Sequence, residues 1–149
     1  MKFIFCLLFF FCTIIASAQI NLDEIRSNYT IALFEKSICI KMIKVLSTQK
    51  SQAIYLGYLG GFQTMMAKHY SNPFSKLKTF NQGKVNIESA ILKDNDDVEL
   101  KYIRYSVQKN APLILGYHDN LEMDRKCLEE NKCKIKSNIV VKNINQLLK

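Results

Sequence analysis

The chain has 149 residues, 48% hydrophobic and 23% charged, with 21 Lys and Arg against 13 Asp and Glu for a formal charge of +8. That length fits one domain and suffices for a single hydrophobic core without metal or disulfide support. A basic excess admits an anionic partner such as nucleic acid or phospholipid headgroups, but here lysines are spread along every segment and Asp94, Asp96, Asp97 and Glu99 form an opposing acidic cluster. Only Lys132, Lys134 and Lys136 alternate tightly, and no interleaving of aromatic with basic residues offers a stacking platform for bases, so the excess reads as a solvated surface and not a nucleic-acid interface.

Met1 to Ala18 reads as a secretory signal peptide: a cationic start at Lys2, an apolar run from Phe3 to Ile15, and the small-residue site Ala16-Ser17-Ala18 before Gln19. The apolar run falls short of the roughly 20 residues that cross a bilayer, so cleavage after Ala18 is expected, with no transmembrane anchor left behind. Lipid attachment at Cys12 is disfavoured by Phe9, Phe10 and Phe11, which stand where such sites want small residues. The expected organisation is a signal peptide over 1–18 and a single all-helical domain over 19–149, periplasmic or secreted.

Removal of the leader takes Cys6 and Cys12 with it and leaves Cys39, Cys127 and Cys133. In an oxidising compartment one pair can bridge. Cys127 and Cys133 are the candidates, but six residues along a continuous helix rise about 9 Å, beyond disulfide reach, so the bond requires the helix to end near Asn131. Cys39, within Ile38-Cys39-Ile40, reads as a buried core thiol.

In the mature chain Gly and Pro are scarce and strict alternation is rare, which favours helices. The spacing of Leu22, Ile25, Tyr29 and Leu33 predicts a helix over 22–34, capped by Asn21 with Glu24 completing a capping box. A second helical stretch over 37–46 can continue the first, and Ser47 to Ser51 form a loop. A third helix over 52–69 carries Ile54, Tyr58, Phe62, Met65 and Met66 on its apolar side. Its Gly57, Gly60 and Gly61 each cost about 1 kcal/mol relative to Ala, which close approach of a neighbouring helix would offset; a small-ligand groove is the alternative. Ser71-Asn72-Pro73 breaks the chain. A fourth helix runs to Leu92 with Leu77, Phe80, Ile87, Ala90 and Ile91 inward. A fifth spans 97–109 with an acidic first turn suited to the helix dipole, Ala111 to Tyr117 form an apolar loop, and helices over 119–130 and 137–148 close the chain.

Gly83, Ile87, Ala90 and Asn95 fall on the small, large, small and turn spacing of the second helix of a tetratricopeptide repeat, and this half-repeat resembles that family. Asn95 stands where the family has proline, and no clean 34-residue self-similarity accompanies it. More broadly, Met66-Ala67-Lys68-His69 followed by Asn72-Pro73-Phe74, and Val98 to Gln108 leading into Asn110, Pro112 and Leu115-Gly116-Tyr117, are similar to uncharacterised small exported proteins of Bacteroidota-type bacteria. That resemblance implies a shared helical fold and carries no chemistry. The expected architecture is all-α: antiparallel helical hairpins in a tetratricopeptide-like array, or a compact bundle of about six to seven helices.

The polar residues that stand out in this core are Lys68, His69, Glu99, Arg104, Gln108, Asn110 and His118, with Tyr102 and Tyr105 flanking Arg104. A buried Arg104 needs carboxylate or carbonyl partners, which Glu99 or a carbonyl near Asn110 can supply; otherwise it is placed to receive an anionic ligand or a partner's carboxylate. His69 and His118 are the only histidines, neither in a metal-ligand spacing, and His69 suits a helix C-terminus. Nucleophile elbows and phosphate loops are absent, so no catalytic, metal or cofactor residue is assigned. The function expected is a protein- or peptide-binding interaction module; the alternative is a small-ligand binder or enzyme with a polar site near Arg104 and His69.

Overall fold

The computed structural model describes residues 20–149, so the leader over 1–18 and its junction with Gln19 lie outside the described residues. Seven α-helices follow in order, α1 (Leu22–Ile31), α2 (Lys36–Leu46), α3 (Ala53–Lys68), α4 (Pro73–Lys93), α5 (Val98–Asn110), α6 (Leu121–Asn131) and α7 (Asn138–Leu147), with short 3-10 turns at Leu113–Leu115 and Lys132–Lys134. No strand occurs among the described residues, none of their helices is long and apolar enough to cross a membrane, and the fold is all-α.

Local capping sets several starts. Asn21 caps α1 by accepting from the Asp23 N–H at 2.9 Å, Asn72 caps α4 through Phe74 at 2.8 Å with Pro73 at its first turn, and Asp97 caps α5 through Glu99 at 2.7 Å. These bonds satisfy donors that a helix start otherwise leaves open. The capping box does not form: Glu24 turns away from the helix start to accept from Lys41 on α2 at 2.8 Å. Nor does α1 reach Phe34 or continue into α2. The buried Ala32 carbonyl instead accepts the Cys39 thiol at 3.3 Å, so α2 folds back onto the end of α1.

The third helix is the axis of the molecule. Its expected single apolar side is too narrow a description, because Tyr55, Leu56 and Leu59 are buried as well as Tyr58, Phe62, Met65 and Met66. Helices α1, α2, α4 and α5 all pack against α3, which leaves it almost no solvent face. Gly60 lets α4 approach to backbone contact, while Gly61 makes room for the Tyr29 ring of α1 and Gly57 for Leu100 of α5. A Cβ on Gly60 would lie 2.5 Å from the Gly83 carbonyl oxygen, and one on Gly83 would lie 2.6 Å from the Gly60 oxygen. Gly57 faces Ala90 further along, so α3 and α4 run antiparallel. Close helix approach therefore explains these residues, and no ligand groove exists at them.

Aromatic edges bind α1 to α3 and α5. Tyr29 meets Tyr58 at 5.2 Å between ring centres, Phe62 at 5.5 Å and Tyr102 at 5.9 Å, in each case edge-on. Such pairs contribute about 0.5–1.5 kcal/mol each beyond burial. On α4, Phe80, Ile87, Ala90 and Ile91 face the core as expected, but Leu77 is exposed, because the helix start overhangs a cleft described below.

Candidate functional site

The charged residues singled out on α5 are buried and already paired. Arg104 donates Nε to Asp124 Oδ2 at 2.7 Å and Nη2 to Asp124 Oδ1 at 2.8 Å, a bidentate pair with α6, while Nη1 reaches Glu88 on α4 at 3.0 Å. Glu99, the partner expected for Arg104, serves a different arginine: it accepts from Arg26 Nε at 2.8 Å, Arg26 Nη2 at 2.7 Å and the Tyr58 hydroxyl at 2.6 Å. Burial alone would lower the Arg104 pKa, but hydrogen bonds and charge from Asp124 and Glu88 outweigh it and the net shift is upward. For Arg26 the Glu99 bonds dominate and also raise it. Burial, then Glu99, holds the Tyr58 hydroxyl well above the ordinary range. Burial and Glu88 do the same for Tyr117, whose hydroxyl donates to Glu88 at 2.5 Å. Each guanidinium thus closes a carboxylate and tyrosine network between helices, and Arg104 presents no open fork to a ligand.

The remaining candidates scatter. Tyr105 is buried with the Lys109 ammonium 5.9 Å from its ring centre, and Gln108 is buried with Oε1 lacking a partner among the described residues. His69 caps α3 at its C-terminus, also with Nε2 unpartnered, while His118 donates Nε2–H to the Ala111 carbonyl at 3.1 Å. Neither histidine joins Arg104. The condition for the Cys127 to Cys133 bond is met, since α6 ends at Asn131, yet all three described thiols are unbonded; Cys133 is exposed on the following 3-10 turn and Cys39 buried. Among the described residues no grouping of His, Cys, Asp and Glu could hold a metal ion.

Three candidates do converge, at a place the sequence did not mark. Lys68, Tyr102 and Asn110 line a cleft of about 520 Å³, within the roughly 300–1,000 Å³ typical of small-molecule sites. It opens where the C-terminal ends of α1, α3, α5 and α7 meet the start of α4 and the Pro112 loop. The walls are chiefly apolar: Leu33 from the turn after α1, Met65 and Ala67 from α3, Leu77 and Phe80 from α4, Val107 from α5, Ile114 and Leu115 from the loop, and Leu147 from α7.

Four polar groups in this lining, those of Thr64, Ser106, Tyr29 and Asn110, are turned onto backbone or core, while Thr30, Asn143 and Gln146 also line the cleft. Thr64 Oγ1 donates to the Gly61 carbonyl at 2.7 Å, Ser106 Oγ donates to the Ile103 carbonyl at 2.8 Å and accepts from the Tyr29 hydroxyl at 3.0 Å, and Asn110 Nδ2 donates to the Ser106 carbonyl at 2.8 Å. With those hydrogen bonds internal, the cleft shows chiefly methyl and ring surface to its contents. Lys109 holds α7 in place by donating to the Leu147 carbonyl. The charges at the cleft are Lys68 and Lys76; no Asp or Glu lines it. No protein family, curated protein or solved structure matches this chain.

Proposed function

We propose that this protein is an exported binding protein whose cleft receives a small apolar ligand. One observation carries the reading: an open space of about 520 Å³ with chiefly apolar walls persists beside a tightly packed core, although burial of such walls is the main driving force of folding. The leader over 1–18 supports export, and the mass of protein recovered from the periplasm after expression of the full chain should correspond to Gln19 through Lys149. A mass that still includes Met1 contradicts the export reading.

The binding reading is tested with a neutral solvatochromic probe, N-phenyl-1-naphthylamine. Saturable fluorescence enhancement is expected, with loss of at least tenfold in affinity in Thr30→Trp, where the indole fills the cleft from an exposed position on α1. Unchanged binding in a folded Thr30→Trp protein contradicts it.

A protein or peptide partner is the second reading. It draws support from exposed side chains on elements bordering the cleft: Phe34, Phe74 and Leu113 at 84% and Ile114 at 93% exposure. The tetratricopeptide-like spacing on α4 points the same way. If Phe74→Ser with Leu113→Ser leaves probe binding intact but abolishes recovery of one reproducible periplasmic partner after crosslinking, this face serves that partner.

A further inference from the structure

We propose that the ligand of this cleft is a single-chain carboxylate, its hydrocarbon tail among the apolar walls and its carboxylate at the mouth between Lys68 and Lys76. The inference rests on the cleft being a ligand site, as argued above, and adds the chemical class. Lys68 is the last residue of α3 and Lys76 lies near the start of α4, so the short connection between these helices brings both residues to the lining of the cleft.

Neither lysine enters an ion pair among the described residues, a freedom they share with most lysines of the protein, and they are the two lysines that line the cleft. The placement of Lys76 is also electrostatically unfavourable for the fold alone. It adds a cation to the positive end of α4, whose first turn holds no acidic residue. An anion at the mouth relieves that repulsion. Because no acid side chain lines the cleft, an apolar cation meets only helix C-terminal carbonyls there, and a neutral chain gains only its burial.

The tail takes the space between Leu33, Leu77, Phe80 and Val107, where the Thr64 and Ser106 hydroxyls are committed elsewhere. Chain length should therefore act through burial, at up to about fourfold in affinity per methylene until the cleft is full.

The test is displacement of bound N-phenyl-1-naphthylamine by dodecanoate, dodecanol and dodecylammonium, each below its aggregation concentration, using the full chain expressed and recovered as above. Dodecanoate is expected to displace the probe at concentrations about tenfold below the other two, a preference that two partly exposed ion pairs can supply. Lys68→Glu with Lys76→Glu should abolish that preference and leave dodecanoate no better a competitor than dodecanol, with the fold kept because both positions are exposed. Equal displacement by alcohol and carboxylate, or a preference that survives the double substitution, overturns the proposal while the apolar cleft stands. Failure of the probe itself to bind overturns both. A third arm separates monomer from membrane: cosedimentation with phosphatidylglycerol vesicles that depends on the two lysines, without displacement by monomeric dodecanoate, also overturns it.

Discussion

Arg104 and Asp124 bind face to face at 2.7 and 2.8 Å with the Asp124 side chain fully buried, which makes this pair the most sensitive charged contact in the molecule. Removing one partner of a buried pair leaves an uncompensated charge and costs about 3–5 kcal/mol. Asp124→Ala should lose stability of that order in urea denaturation, and Asp124→Ala with Arg104→Met should recover most of it. A loss below about 1 kcal/mol for the single variant would show the pair to be incidental, as exposed pairs are. The sequence marked Arg104 and Glu99 as residues to watch, and both proved to be buried and ion-paired. It offered Arg104 either Glu99 or a carbonyl near Asn110 as partner, however, and neither serves it. Five positions along a helix turn a side chain by about 140°, so Glu99 points to α1 and Arg104 to α6. Their true partners, Arg26 and Asp124, lie on other helices and carry no local signal.

Among elements, the α3 and α4 hairpin makes a sharp prediction. Gly60→Ala raises helix propensity by about 1 kcal/mol, yet its Cβ meets the Gly83 oxygen at 2.5 Å and the Ile87 nitrogen at 2.9 Å, both backbone atoms that cannot turn aside. The variant should be destabilised by about 2 kcal/mol or more. Gly57→Ala meets the Leu100 Cδ2 methyl at 2.4 Å, the end of a side chain that can rotate, and should change stability by less than about 1 kcal/mol. Thermal denaturation of the two variants checks the order; equal melting temperatures would contradict backbone contact. Here the sequence was informative. Three glycines inside one apolar helix announced a close neighbour, and Asn21, Pro73 and Asp97 marked helix starts within a residue or two. What it hid was the end of α1 at Ile31, because Ile31-Ala32-Leu33-Phe34 contains no breaker and the stop is imposed by the return of α2 and its Cys39 thiol.

For the whole molecule, burial of several weak acids predicts alkaline unfolding. Burial raises Cys39 from 9.0 to about 11, and burial raises Tyr29, Tyr58, Tyr102 and Tyr117 above 10.0, with Tyr102 adding to the effect at Tyr29. In the unfolded chain these groups lose protons first, so their contribution is complete below the unfolded values and is lost as pH rises through them. Unfolding free energy should hold steady from pH 7 to 8.5 and fall above pH 9, where Cys39 begins to count. Above pH 10 it should fall more steeply, by up to about 1.4 kcal/mol per pH unit for each group involved. Constant stability to pH 11 in urea titrations would contradict this core. The cleft belongs to the same scale. It forms where four helix C-termini meet the start of a fifth helix and a loop, so the residues that line it are distant in sequence and share no motif. That is why Lys68, Tyr102 and Asn110 were noticed singly, Leu77 was read only as a core residue, and Lys76 was not marked at all. The claim that this space is a binding site is tested most directly by an amide chemical-shift map of isotope-labelled protein titrated with N-phenyl-1-naphthylamine. The largest shifts should fall on Thr64 to Lys68, Lys76 to Phe80 and Ser106 to Ala111; shifts centred instead on Arg26, Glu99 and Lys134, which line a smaller groove elsewhere, would contradict the account.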